Sequence, residues 1–165
     1  MKIIDFYRGG IGNQNGNTLS EILTWSKGWL EGDHDYVQWL LPSNETSQIN
    51  GEAPTLTLEE SQIFKEDKEL QDKVKQSLVK FLWFLDFKLV RDDEQVIIEP
   101  VVEIPDWLKG FNHNMLRVTR LIKSLRLTGL EKYANAYYTA LLPFKNKVSI
   151  NTWSYWQKAA IEPLW

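Results

Sequence analysis

A mainly α fold, a single compact helical domain of about six helices with one short β-hairpin near residues 87–99, is predicted by three features of the sequence. Apolar residues recur at spacings of three and four from Leu70 to Leu85 and again from Met115 to Leu125, the signature of amphipathic helices. Thr18 with Glu21 and Thr57 with Glu60 have the spacing of capping boxes. One stretch alone, "FKLVRDDEQVIIEPVVEIP", turns to branched residues on both sides of a polar turn. With 165 residues, 43% hydrophobic and 25% charged, the chain has the size and composition of one soluble globular domain, residues 1–165.

Taken in order, the chain opens with the glycine and asparagine loop "GGIGNQNGN". Its GxGxxxG spacing, with no Walker lysine and no alternating βα units around it, reads as a flexible loop rather than a nucleotide fingerprint. Thr18 then opens a helix expected to run to about Glu31, with Ile22, Leu23, Trp25, Trp29 and Leu30 on its apolar side. Asp33 reads as the N-cap of a short helix from His34 to about Leu41, which Pro42 ends. After the loop "SNETSQINGEAP" a short helix follows Thr57, and Asp67 starts the long one carrying Leu70, Val74, Leu78, Phe81, Leu82 and Leu85.

The β-like stretch comes next, limited by Pro100 and Pro105. Asn114–Leu127 is the next helix, buried through Met115, Val118, Leu121, Ile122 and Leu125 and stopped by Gly129. Leu130–Leu142 ends at Pro143, and Asn151 is expected to cap the last helix, "TWSYWQKAAIE". No repeat or linker divides the chain.

Composition removes several function classes. The absence of cysteine excludes disulfides, thiolate metal sites and a cysteine nucleophile. No apolar run approaches the length of a membrane span, and the N-terminus lacks a signal peptide, so a cytoplasmic location is expected. Charge is uneven: residues 31–106 hold 7 Lys/Arg against 18 Asp/Glu, while residues 107–147 hold 8 basic residues against Glu131 alone. The two regions either attract one another within the fold or leave the basic one to bind anions. The acidic overall balance argues against nucleic acid as a partner.

Two dense runs, "GDHDYVQWLLP" and "FNHNMLRVTR", hold both histidines. His34 has Gln38 where a second zinc-binding histidine would stand, so a metal would need His113 and an acid such as Asp33 or Asp35; no metal or cofactor is assigned. On a helical wheel His34 lies at the border of a buried face, which reads as packing. Arg117, Arg120, Lys123 and Arg126 step by three along one helix and spread over half its circumference; Arg117 and Arg120 share a face with His113 and Asn114 near the helix start, a combination able to hold a carboxylate or phosphate.

The runs "DFYRGG", "HDYVQWLLP", "APTLTLEESQIFK", "NHNMLRVTRLIKSLRLTGLE" and "TWSYWQ" resemble, in order and spacing, the conserved domain of the opioid growth factor receptor family. The resemblance implies a helical domain and, in animal members, binding of the pentapeptide Met-enkephalin, association with nuclear and perinuclear membranes, and restraint of proliferation. The chain resembles a compact microbial form without the C-terminal repeats of those members. It implies no catalytic residues. The expected function is therefore a non-enzymatic binding domain for a peptide or small anionic ligand, with Tyr36, Gln38, Trp39, His113, Asn114, Arg117 and Arg120 lining the pocket. The alternatives are an enzyme using His34 and His113, or a phosphate- or nucleic-acid-binding helical protein.

Overall fold

Helix begins almost at the first residue. The computed structural model describes residues 1–165: α1 (Lys2–Tyr7), α2 (Leu19–Ile22), α3 (Lys27–Gly32), α4 (Val37–Leu40), α5 (Leu58–Glu66), α6 (Lys68–Phe84), β1 (Phe87–Asp92), β2 (Val96–Pro100), α7 (Asn114–Leu127), α8 (Glu131–Leu141) and α9 (Ile150–Ile161). Short 3-10 turns occupy Asp106–Lys109 and Leu142–Lys147. The fold is mainly helical, with five α-helices longer than six residues and one antiparallel hairpin.

The local signals that hold are those with a cap or a stop. The Thr57 hydroxyl accepts from the Glu60 N–H at 3.1 Å, and the Glu60 carboxylate accepts from the Thr57 N–H at 2.9 Å, closing the capping box of α5. Asp67 caps α6 by accepting from the Leu70 N–H at 3.1 Å. Phe87 pairs with Pro100 across the hairpin, so the proline takes the last strand position, where its missing N–H does least harm. Gly129, at φ 89°, turns the chain after α7 in a left-handed conformation that suits glycine.

Four boundaries differ from the sequence reading. The helix expected from Thr18 to Glu31 is two helices, because the Ser26 hydroxyl accepts from the Trp29 N–H and starts α3 anew. Asp33 does not cap a helix at His34: its carboxylate accepts from the Asp35 N–H at 2.8 Å in a local turn, and α4 begins only at Val37. His34 is accordingly exposed, not at the border of a buried face. Ser149, not Asn151, caps α9, accepting from the Thr152 N–H at 3.0 Å. The helix α1 carries no cap bond and its apolar residues form a block rather than a stripe, so nothing local announced it.

The glycine loop is an organised turn. The Asn13 side-chain oxygen accepts from the N–H groups of Asn15 and Asn17, and Gln14 accepts from the Trp39 indole at 2.6 Å. A Cβ on Gly12 would lie 2.5 Å from the Gly16 carbonyl carbon, so the two limbs of the loop approach too closely for any other residue.

One hydrophobic cluster of 41 buried residues joins these elements. Helix α7 packs against α8 and α9, α8 against β2, and α6 against β1. The stripe Met115, Val118, Leu121, Ile122 and Leu125 is buried as its periodicity requires. Trp156 of α9 closes the core between Trp107 and Trp153 and donates its indole N–H to the Met115 carbonyl at 3.0 Å. These contacts turn the opposite face of α7, through Leu116, Thr119, Arg120 and Lys123, toward the outside.

Candidate functional site

The basic helix does its first work inside the fold. The last carbonyls of a helix lack intrahelical partners, and three arginines of α7 each reach one such helix end. Arg117 donates to the carbonyls of Leu30 at 2.8 Å and Asp33 at 3.1 Å, the C-terminal end of α3. Arg120 donates to those of Leu41 at 2.6 Å and Gln38 at 3.4 Å, the end of α4. Arg126 donates to those of Ala159 at 2.8 Å and Glu162 at 2.9 Å, the end of α9. In every case a guanidinium spans the C-cap carbonyl and the one three residues before it, where the helix dipole also favours a cation. The arginines thus meet the acidic part of the chain through its backbone; direct ion pairs on α7 are confined to Lys123 with Glu45 and Arg126 with Glu131.

Carbonyls satisfy hydrogen bonds without cancelling charge. Burial lowers the Arg117 guanidinium and pulls Arg120 down to about 10, so both stay cationic at neutral pH. They stand beside a cleft of about 330 Å³ between the outer face of α7 and the loop 43–49. Its walls include His34, Gln38, His113, Arg117, Arg120 and Lys123, with Glu45 as the facing acid and Leu116, Thr119 and Tyr155 on the other side.

His34 and His113 meet at this cleft, with ring centroids 5.0 Å apart in an edge-to-face arrangement. The His113 Nε2 lies 3.1 Å from a Glu31 carboxylate oxygen, and the Arg117 Nη2 lies 3.4 Å from the His34 Nδ1. Asp33 and Asp35 do not complete a metal set around the pair: no three His, Asp or Glu side chains are grouped to hold an ion. Burial holds His113 below its ordinary value, helped by the charges of Arg117 and His34 and opposed by Glu31. The unfolded chain therefore takes up this proton first, and the contribution of neutral His113 to stability is complete above pH 6.5 and lost as pH falls below it toward the folded value. Melting temperatures measured down a pH series should fall more steeply below pH 6.5 for the parent than for His113→Gln; parallel curves would remove His113 from the linkage.

The structure places the candidate site residues in two groups. Gln38, His113, Arg117 and Arg120 line the cleft. Tyr36, Trp39 and Asn114 do not: Tyr36 is fully buried with its hydroxyl donating to the Leu30 carbonyl at 2.8 Å, Trp39 is turned to Gln14, and Asn114 donates to Glu31 at 3.2 Å. Gln38 is itself buried and accepts from Asn50 at 3.2 Å. Sequence reading left out the far wall. Leu116 stands four residues before Arg120 on the face of α7 opposite the buried stripe, which periodicity could have shown. Nothing in "SNETSQIN" marks it as the opposing wall.

Comparison with known proteins gives a consistent result. A family model described as the opioid growth factor receptor (OGFr) conserved region matches residues 1–155. Opioid growth factor receptor of Rattus norvegicus is 35% identical over 136 residues, 79% of this chain and 23% of that protein. The Homo sapiens receptor is 34% identical over 140 residues, 79% of this chain and 20% of that protein. Opioid growth factor receptor-like protein 1 of Xenopus tropicalis is 34% identical over 126 residues, 72% of this chain and 24% of that protein. The chain spans about a quarter or less of the length of these curated relatives. No solved structure matches it.

Proposed function

The chain belongs to the opioid growth factor receptor conserved-region family, and from that premise we propose that it is a binding domain that receives the carboxylate of a short peptide in the cleft along α7. The carrying observation is the concentration of charge there: Arg117, Arg120 and Lys123 face a single wall carboxylate, Glu45. The arginines are held by carbonyls and keep their positions, so little ordering is required when an anion arrives. A cleft of about 330 Å³ is at the small end for ligand pockets, sized for part of a peptide rather than all of it. No helix is long and apolar enough to cross a membrane.

The relatives' name refers to an opioid growth factor, and Met-enkephalin is the corresponding probe. Lys123 is the residue to alter, because its ammonium supports no helix end and reaches only Glu45, at 2.6 Å. Calorimetric titration should show binding that Lys123→Ala weakens about tenfold, equivalent to about 1.4 kcal/mol, with amidation of the peptide terminus doing the same. Equal affinities for acid and amide would sink the carboxylate reading.

A second reading rests on the approach of His34 to His113 beside Glu31, a group able to shuttle a proton. Chemical change of the peptide during incubation, lost in His34→Gln with His113→Gln, would replace binding by catalysis.

A further inference from the structure

The cleft does not end at its apolar wall. A second cavity, of about 260 Å³, is lined by Phe111, Met115, Leu116, Thr119, Asn151, Thr152 and Tyr155, and shares Leu116, Thr119 and Tyr155 with the first. The two form one groove along the outer face of α7, bounded by α9 on one side and by His34 and the loop 43–49 on the other. Its character changes along its length. At the start of α7 the walls hold side chains that have no reason to face water: Phe111 is 79% exposed, Tyr155 56% and Leu116 51%. Such a contiguous patch on an otherwise charged chain is the mark of an interaction surface. Toward the middle of α7 the walls carry Arg117, Arg120 and Lys123.

The far end is crossed by an ion pair. Lys123 and Glu45 pair at 2.6 Å across the groove, and both also line the next cavity along, near Lys158 and Leu164. A polypeptide lying against the loop 43–49 meets this pair, while the side lined by Thr119 and Tyr155 runs on into the next cavity. One that stops at the pair presents a carboxylate to Lys123, where it takes the place already held by the Glu45 carboxylate.

We infer that the groove docks the C-terminal end of a partner polypeptide, with its terminal carboxylate between Arg120 and Lys123 and a large apolar side chain against Phe111, Leu116 and Tyr155. This rests on the reading of the cleft as a carboxylate site and adds the class of peptide it selects. The seven steps from Leu116 to Lys123 rise about 10 Å along the helix, the reach of about three extended residues. The apolar anchor accordingly lies two or three positions before the terminus. Charge complementarity and the ion pair at this end together favour a chain end over an internal acidic segment.

The test uses two libraries of acetylated tetrapeptides, varied at every position, one with a free C-terminal carboxylate and one amidated, passed over the immobilised full chain. Peptides retained from the acid library should be enriched about tenfold in Phe, Leu, Met and Trp two or three positions before the terminal residue, and the amide library should retain about tenfold less material. Leu116→Asp, a change at a half-exposed position, should abolish the apolar preference while retention of acids over amides persists and the far-UV circular dichroism is unchanged. Retention of acids without apolar preference overturns the groove and leaves the carboxylate site standing. Equal retention of amides rich in Asp or Glu replaces the chain end by an internal acidic segment and overturns the proposal. Retention of neither library removes both the groove and the carboxylate site.

Discussion

Arg117→Ala should lower the stability of the chain by about 3 kcal/mol, because it removes a buried charge that holds two carbonyls and leaves them without a donor. Arg117 is 5% exposed, and beyond its bonds to Leu30 and Asp33 it donates to the Tyr36 hydroxyl at 3.4 Å and lies 5.6 Å from the ring centres of Tyr36 and Phe84. For a chain of this size the loss corresponds to a fall in melting temperature of about 6–12 °C. Arg117→Lys should recover little, since an ammonium lacks the planar fork that spans the two carbonyls. A parent-like melt for Arg117→Ala would show that α3 does not depend on this cap. The prediction also decides how the site can be probed. Removing Arg117 or Arg120 frees the ends of α3 or α4 and displaces His34 and Gln38, so lost binding in such variants would report damage to the wall rather than to the ligand contact.

Trp156→Ala should cost still more, about 4 kcal/mol, the range for truncating a large buried aromatic. The side chain is completely buried, its indole N–H is bonded to the Met115 carbonyl at 3.0 Å, and its ring lies 5.8 Å from that of Trp153 and 6.1 Å from that of Trp107. Alanine leaves a cavity at the contact between α7 and α9, the helices that form the floor and one side of the groove. The neighbouring change Tyr155→Ala should leave stability within about 0.5 kcal/mol, because that ring faces outward. Urea unfolding of the pair would check the assignment: similar midpoints for the two variants would mean that the faces of α9 had been exchanged.

The contrast between these neighbours shows why the motif runs were informative about family and poor guides to a pocket. "TWSYWQ" holds one residue that fills the core beside one that borders the groove. In "HDYVQWLLP", Tyr36 and Trp39 are buried partners of helix ends and of the glycine loop, while His34 is exposed at the cleft. A short, dense run of polar and aromatic residues does not reveal which of its members point inward. The four-residue α4 is too brief for periodicity to settle it.

By itself the sequence determined the elements whose instructions are local. The capping box at Thr57, the cap at Asp67, the stripes of α6 and α7, the hairpin and the stop at Gly129 all depend on contacts within a few residues, and each formed where its pattern lay. Only the tertiary structure decided the rest. The destination of each arginine depends on groups far along the chain: Arg117 reaches 87 residues back to Leu30, and Arg120 reaches 79 back to Leu41. The cleft exists because those reaches bring the two histidine runs together, with ring centres 5.0 Å apart. Spacing along a helix fixes which side chains share a face; only packing against a second, distant segment fixes what that face meets.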